Sequence, residues 1–282
     1  MDQSHKRSVV FTGDDFGFSR GVNRAIIEAH ERGVLTRASL MVTGKAFDEA
    51  VALARSHPQL RVGLHLVLVC GRSVLSPAEI PHLVNGARIF SSQPVPVGLR
   101  YQFSSQARRE LCLEIHAQLE KFRYTGLPLS HVDSHLHMHM HPVALRTLVE
   151  LAPKFGIKEI RLPSEELDLA LKLDRSRGAE KLIWSLVFQG LRRYGERCLR
   201  SAGIDYRDRV YGLLASGRIT EAYLSDLIPQ IRSNRVEIYS HPALEVEGEP
   251  SNGPPGAGPA ELSALVSDRV REGVALGGFT LE

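Results

Sequence analysis

Ser8-Val9-Val10-Phe11-Thr12-Gly13-Asp14-Asp15-Phe16-Gly17-Phe18-Ser19 reads as a short strand over residues 8–11, a turn rich in glycine and aspartate, and a helix cap at Ser19. Serine caps helices because its hydroxyl satisfies a free N–H of the first turn. Val22, Ala25, Ile26 and Ala29 then recur at the spacing of one helix face, and Gly33 follows where a C-cap belongs. A strand that feeds a helix in this way is half of a βαβ unit, the connection that parallel strands require.

The same order repeats outward from this stretch. Residues 38–42 are a second strand, followed by a helix over 47–55 that stops near Pro58. Residues 62–68 are a third strand, and 107–122 an amphipathic helix with Leu111, Ile115, Leu119 and Phe122 on one face. A strand at 130–133 leads into a histidine-rich run, 142–155 is helical, and 159–162 is a short strand. Late in the chain come a strand at 236–240, a helix over 261–272 and a terminal strand near 278–281. Residues 71–103 and 245–260 are rich in Gly, Pro and Ser without periodicity, and read as irregular excursions. No internal repeat is evident. About seven β-then-α units predict an α/β fold: a single distorted TIM-like (β/α) barrel of parallel strands occupying residues 1–282.

Composition agrees with one large globular unit. The chain has 282 residues, 43% of them hydrophobic. With 35 basic and 32 acidic residues the formal charge is +3, too balanced to imply nucleic acid as a partner. Residues 1–8 lead straight into the first strand without the apolar run of a signal peptide. No stretch approaches the roughly 18 apolar residues that cross a bilayer. Cys70, Cys112 and Cys198 are scattered and odd in number, which fits a reducing cytoplasm rather than a disulfide framework.

In such barrels the chemistry sits where strands end and loops begin. Asp14 and Asp15, His65, the histidine run and His241 each fall at or just past the C-terminal end of an expected strand. The run is His131-Val-Asp133-Ser-His135-Leu-His137-Met-His139-Met-His141, and imidazole is the commonest metal ligand. If it is extended, its histidines and Asp133 share one face while Val132, Leu136, Met138 and Met140 pack behind.

Adjacent carboxylates on a strand point apart, so one of Asp14 and Asp15 can ligate a metal while the other stays free as a base. The plainer alternative is a turn stabilised by the following helix dipole. Asp15-Phe16-Gly17 also matches a kinase triplet, but no glycine-rich loop or catalytic-loop segment precedes it. His65 lies in an otherwise apolar run, where it is either a satisfied core residue or a ligand. A carboxylate with His65 and His135, from three separate strands, makes an open site for a divalent ion. Asp133 or other histidines then orient the ligands. His137 and His139 read as substrate contacts or as such supports, while His141 before Pro142 opens a helix. His241, in Tyr-Ser-His-Pro, either protonates a leaving group or shapes a turn. Arg161, in Ile-Arg-Leu-Pro, orients an acid, binds substrate, or forms a surface salt bridge.

One helix stands apart. Between Lys181 and Arg200, Ile183, Leu186, Val187, Leu191 and Tyr194 form an apolar stripe, and Arg192, Arg193, Arg197 and Arg200 cluster at its end. It suits a lipid-like substrate or a membrane surface, or else core packing or a homo-oligomer interface.

Together these pieces resemble the YdjC-like carbohydrate deacetylases. Asp14-Asp15-Phe-Gly-Phe-Ser19 with Val22-Asn-Arg-Ala-Ile26, Gly63-Leu-His65-Leu66, His131-Val-Asp-Ser-His135-Leu-His137-Met-His139, Arg161-Leu-Pro and His241-Pro242 follow the family's order of motifs over nearly the whole chain. Ala243 departs from the glycine that many relatives carry. The resemblance implies a distorted barrel that removes acetyl groups from N-acetylated sugars with one divalent metal, Zn2+ or Mg2+. It assigns the metal to Asp15, His65 and His135, and the base to Asp14. Leu40-Met-Val-Thr-Gly-Lys-Ala-Phe47 and His65-Leu-Val-Leu-Val69 resemble the hopanoid-biosynthesis-associated branch, HpnK. That branch implies an N-acetylglucosaminyl hopanoid lipid as substrate and a cytoplasmic enzyme peripheral to the inner membrane. The expected chemistry is metal-assisted amide hydrolysis, with His241 protonating the leaving amine. A chitooligosaccharide deacetylase, a metal phosphoesterase on the same rim, and a non-catalytic sugar- or lipid-binding barrel are the competing readings.

Overall fold

The strand quoted first is the spine of the sheet. A computed structural model describes residues 7–282, so the reading of the N-terminal lead-in falls partly outside the described residues. The strands are β1 (Arg7–Phe16), β2 (Arg37–Leu40), β3 (Arg61–Leu66), β4 (Val132–Ser134), β5 (Arg209–Tyr211), β6 (Arg235–Ser240) and β7 (Phe279–Leu281). All pair in parallel, in the order β4-β3-β2-β1-β6-β5, with β7 on the first residues of β1. Strands covered on both faces are apolar throughout, and Phe11, Leu40, Leu64 and Ile238 are all buried. Each such side chain stabilises the fold by about 1.5–3 kcal/mol.

The expected 159–162 strand survives as single bridges. Ile160 bridges to Val132 of β4, Glu159 to Asp205, and Ser164 to Val210 of β5. This segment ties the two edges of the curled sheet together and makes the distorted barrel. Pro163 offers no N–H, which limits a longer ladder.

The helices are α1 (Arg20–Arg32), α2 (Phe47–Ser56), α3 (Pro94–Phe103), α4 (Ser105–Tyr124), α5 (Pro142–Phe155), α6 (Leu167–Leu173), α7 (Gly178–Ala202), α8 (Glu221–Leu227), α9 (Ala257–Leu265) and α10 (Asp268–Leu276). Ser19 caps α1 by accepting from the Val22 N–H at 3.3 Å, and Gly33 ends it. None of the described helices is long and apolar enough to cross a membrane.

Four expectations change. The 71–103 excursion holds two isolated bridges, Arg72–Ile89 and Val84–Phe90, and then a whole helix, α3. Pro94 and Pro96 disguise it, although proline is tolerated in a first turn. The 245–260 loop already contains the start of α9. The helix expected over 261–272 is two helices, broken where the Ser267 hydroxyl accepts from Val270 N–H and caps α10.

The histidine run is the fourth. After β4 it coils into a 3-10 helix (His135–Met140) with Leu136 and His137 at φ 51 and 54°. The Ser134 hydroxyl accepts from the His139 N–H at 2.8 Å and draws the chain back. Alternation therefore ends at Ser134, and the histidines fan out instead of sharing a face.

Candidate metal and catalytic site

Asp14 and Asp15 lie in the last turns of β1, where the pairing with β2 slips between Gly13 and Phe16. Asp15 is left-handed there, at φ 64°. Aspartate tolerates this conformation better than most residues, at a cost of about 1–2 kcal/mol. The slip overturns the expectation that neighbouring carboxylates diverge. Both come within reach of His65 on the neighbouring rim, since Asp15, His65 and His135 offer donor atoms within 4.8 Å of one another, and so do Asp14, His65 and Asp133.

Asp15 Oδ1 lies 3.2 Å from His135 Nδ1 and 3.3 Å from His65 Nε2. Asp15 Oδ2 accepts from the Asn252 amide at 3.3 Å. Asp15 and His65 are buried, while His135 is one-fifth exposed. His65 Nδ1 meets Asp133 Oδ1 at 2.7 Å, which fixes the ring and turns Nε2 toward Asp15. That Nε2 is buried without a hydrogen-bond partner. A buried polar atom left unpaired is costly, so one carboxylate and two imidazoles meeting around it fit a divalent cation. Burial works against a charged Asp15, but hydrogen bonds and charge from His135 and His65 hold its carboxyl well below the usual range.

Behind these donors lies a charge network. Arg161 is fully buried. Its guanidinium donates to Asp14 at 2.7 and 2.9 Å and to Glu237 at 2.8 and 3.0 Å, and approaches Asp133 at 2.8 Å. It is an interior clamp, which disposes of the surface-salt-bridge alternative. The Ser39 hydroxyl donates to Asp133 at 2.7 Å, and Thr12 to Glu237 at 2.8 Å. His131 is buried against Ser39.

The remaining expected residues separate. His137 faces the cleft and its Nε2 lies 2.8 Å from the Tyr239 hydroxyl. Burial, then the charges of His139 and Arg161, keep His137 neutral well below its ordinary range. His139 is fully buried between Ser134 Oγ and the Arg161 carbonyl, both within 2.8 Å, and supports the rim from behind. His141 caps α5 by accepting from the Val143 N–H. His241 lines the cleft beside Tyr239, ring centroids 5.8 Å apart, with its backbone N–H on Glu261.

The cleft has a volume of about 640 Å³. Asp14, His65 and His135 lie at its polar end, and Leu99, Leu136, Met138, Trp184, Phe188 and Leu214 line apolar walls. The sequence reading missed Ser39, Glu237, Tyr239 and Asn252. Glu237 carried a signal, a lone carboxylate within an apolar strand. Arg192 leaves the expected basic cluster: it is buried and donates to the carbonyls of Leu162, Arg207 and Asp208.

Comparison with known proteins places this architecture. The sequence profile of a family described as YdjC-like protein matches residues 8–275. A carbohydrate deacetylase of Brevibacillus brevis is 41% identical over 155 residues, 55% of this chain and 59% of that relative. One from Geobacillus stearothermophilus is 42% identical over 152 residues, 54% and 58% of the two chains. The match thus spans under three fifths of these curated relatives. A solved structure from Enterococcus faecalis V583, named for cellobiose-phosphate cleavage, aligns with a TM-score of 0.72 at 25% identity, over 98% of this chain and 97% of that one.

Proposed function

This chain belongs to the YdjC-like protein family, and from that premise we propose that it is a metal-dependent hydrolase removing the acetyl group from an N-acetylated amino sugar. The observation that carries the reading is the unpartnered His65 Nε2, facing Asp15 and His135 with Asp14 alongside. The named relatives act on carbohydrates as deacetylases, which supports the same reaction class.

Asp15, His65 and His135 would hold the cation, and this mixed oxygen–nitrogen set suits zinc, with magnesium the competitor. A divalent cation supplies Lewis-acid polarisation and lowers the pKa of a coordinated water. Asp14 takes the proton of the attacking water. Arg161 uses one lone pair on each Asp14 oxygen and leaves the others free to accept. As the water oxygen bonds to the acetyl carbon and the C–N bond breaks, a proton must reach the leaving nitrogen. His241 is the donor of choice, because His137 and His139 are held neutral, His139 at about 4. The products are acetate and a free amine.

The apolar walls favour a sugar carried on a lipid, such as an N-acetylglucosaminyl hopanoid, over a free chitooligosaccharide. The test is acetate release from an N-acetylglucosaminyl lipid and from chitobiose, with chelator and after restoring zinc or magnesium. Release only from the lipid and only with metal is the expected result. Phosphate release from a sugar phosphate without acetate would replace this reading with a phosphoesterase. Ligand binding without turnover under either metal would leave a binding barrel.

A further inference from the structure

The two helices at the mouth of the cleft hold large apolar side chains in solvent. On α3, Val95, Leu99 and Phe103 follow one another at four-residue steps and are 63, 55 and 76% exposed. On α7, Ile183, Trp184, Leu186 and Val187 are 60, 39, 61 and 45% exposed. Val95, Leu99, Trp184 and Val187 also line the cleft, so the exposed patch continues the cavity wall. Scattered apolar residues on a surface are ordinary, whereas a contiguous set around one opening marks an interaction site.

The stripe becomes basic farther along α7. Arg193 and Arg197 stand seven and eleven residues beyond Leu186, on the same side of the helix, and both are exposed. The ion pairs of α7 use Arg192 and Arg200 with Glu196, Lys181 with Asp174, and Glu180 with Arg177. Arg193 and Arg197 have no such partner among the described residues. Exposed Arg146 of α5 lies close enough for its charge and that of Arg197 both to act on Tyr194.

We propose that this rim docks on the surface of an anionic phospholipid bilayer. The apolar residues of α3 and α7 enter the headgroup–acyl boundary, and Arg146, Arg193 and Arg197 meet the phosphates. Charge selects this occupant over a second copy of the chain. A two-fold dimer would press the patch against itself and bring arginine toward arginine. Docking turns the cleft mouth to the bilayer. That it then admits an acetylated amphiphile straight from the leaflet rests on the deacetylase reading; the docking does not.

Trp184 is the chain's one tryptophan, so its fluorescence reports this face directly. Full-length protein is titrated with vesicles of phosphatidylethanolamine and phosphatidylglycerol, and with phosphatidylcholine alone, followed by emission and flotation. The expected result is a blue shift and co-flotation with the anionic vesicles only, weakened by salt. Ile183→Ser with Leu186→Ser, and separately Arg193→Glu with Arg197→Glu, should each weaken vesicle binding at least tenfold. Circular dichroism and acetate release from a short-chain, freely dissolved N-acetylglucosaminyl lipid should stay at the unaltered protein's level. No shift and no flotation would overturn docking, whatever the acetate assay shows. A blue shift that follows protein concentration without vesicles would assign the face to self-association instead. Vesicle binding with no acetate release from any substrate would keep docking and sink the deacetylase reading.

Discussion

Arg161 clasps Asp14 through two parallel hydrogen bonds of 2.7 and 2.9 Å, and both side chains are buried. The same guanidinium serves Asp133 and Glu237 and lies 4.7 Å from the centre of the Tyr239 ring. One cation thus contacts three interior carboxylates. Burial works against that charge, but Asp133, Asp14 and Glu237 together outweigh it and raise the pKa of Arg161 well above its ordinary value.

Arg161→Met strands those carboxylates. Removing one partner of a buried charge network costs about 3–5 kcal/mol, so the urea midpoint should fall sharply. Arg161→Lys keeps a charge but loses the flat two-point grip. It should fold more stably than the Met variant while releasing acetate more slowly than the unaltered protein. An unchanged midpoint in Arg161→Met would remove the clamp from the account.

Asp14→Asn removes the proposed proton acceptor while leaving the three proposed metal donors untouched. Acetate release should fall by about 10²–10⁴, with metal content by atomic emission unaltered. Full activity would refute Asp14 as the base. Lost metal would make it a ligand.

Asp133→Asn acts on the proposed metal indirectly. Asp133 anchors His65 Nδ1 at 2.7 Å, and loss of such an orienting carboxylate typically weakens metal affinity by about 10–100-fold. Competition with a chromophoric chelator measures this. The variant should regain activity at raised metal concentration, which Asp14→Asn should not.

Glu165 gives a stability prediction away from the proposed metal site. Burial raises its pKa to about 7, although the N–H groups of Leu214 and Gly212 pull the other way. Its Oε2 has no hydrogen-bond partner. The folded protein therefore holds this proton more tightly than the unfolded chain, and stability falls as pH rises from near 4.5 through 7. Glu165→Gln keeps an acceptor for the N–H groups of Gly212 and Leu214 and removes the titration. It should be more stable than the parent at pH 8, by up to about 3 kcal/mol, with the difference reversing or vanishing near pH 4. Parallel melting curves at the two pH values decide it.

Much of the fold was legible because local signals agreed with it. The Ser19 cap, the periodic apolar face of α1 and the β-branched residues of β1 all favour the structure that forms. The helix α3 was hidden because two prolines and a glycine speak against helix, and it is docking against α4, α5 and the 3-10 helix that supports it. Strand alternation failed in the histidine run because Ser134 and His139 bond across five residues, a contact that composition does not reveal. The proposed metal donors could be named from rim positions. The interior charges behind them could not, because Glu237 is linked to Arg161 only through the pairing of distant strands.

The slip in β1 also sets what an insertion or deletion can do. Three steps of β1 separate Gly13 from Phe16 while two of β2 separate Ala38 from Leu40, so β1 carries one extra residue at the site. Losing one residue there would restore even pairing and leave a single aspartate where two now reach His65. A substitution can change either carboxylate alone, whereas a deletion removes the bend that aims both.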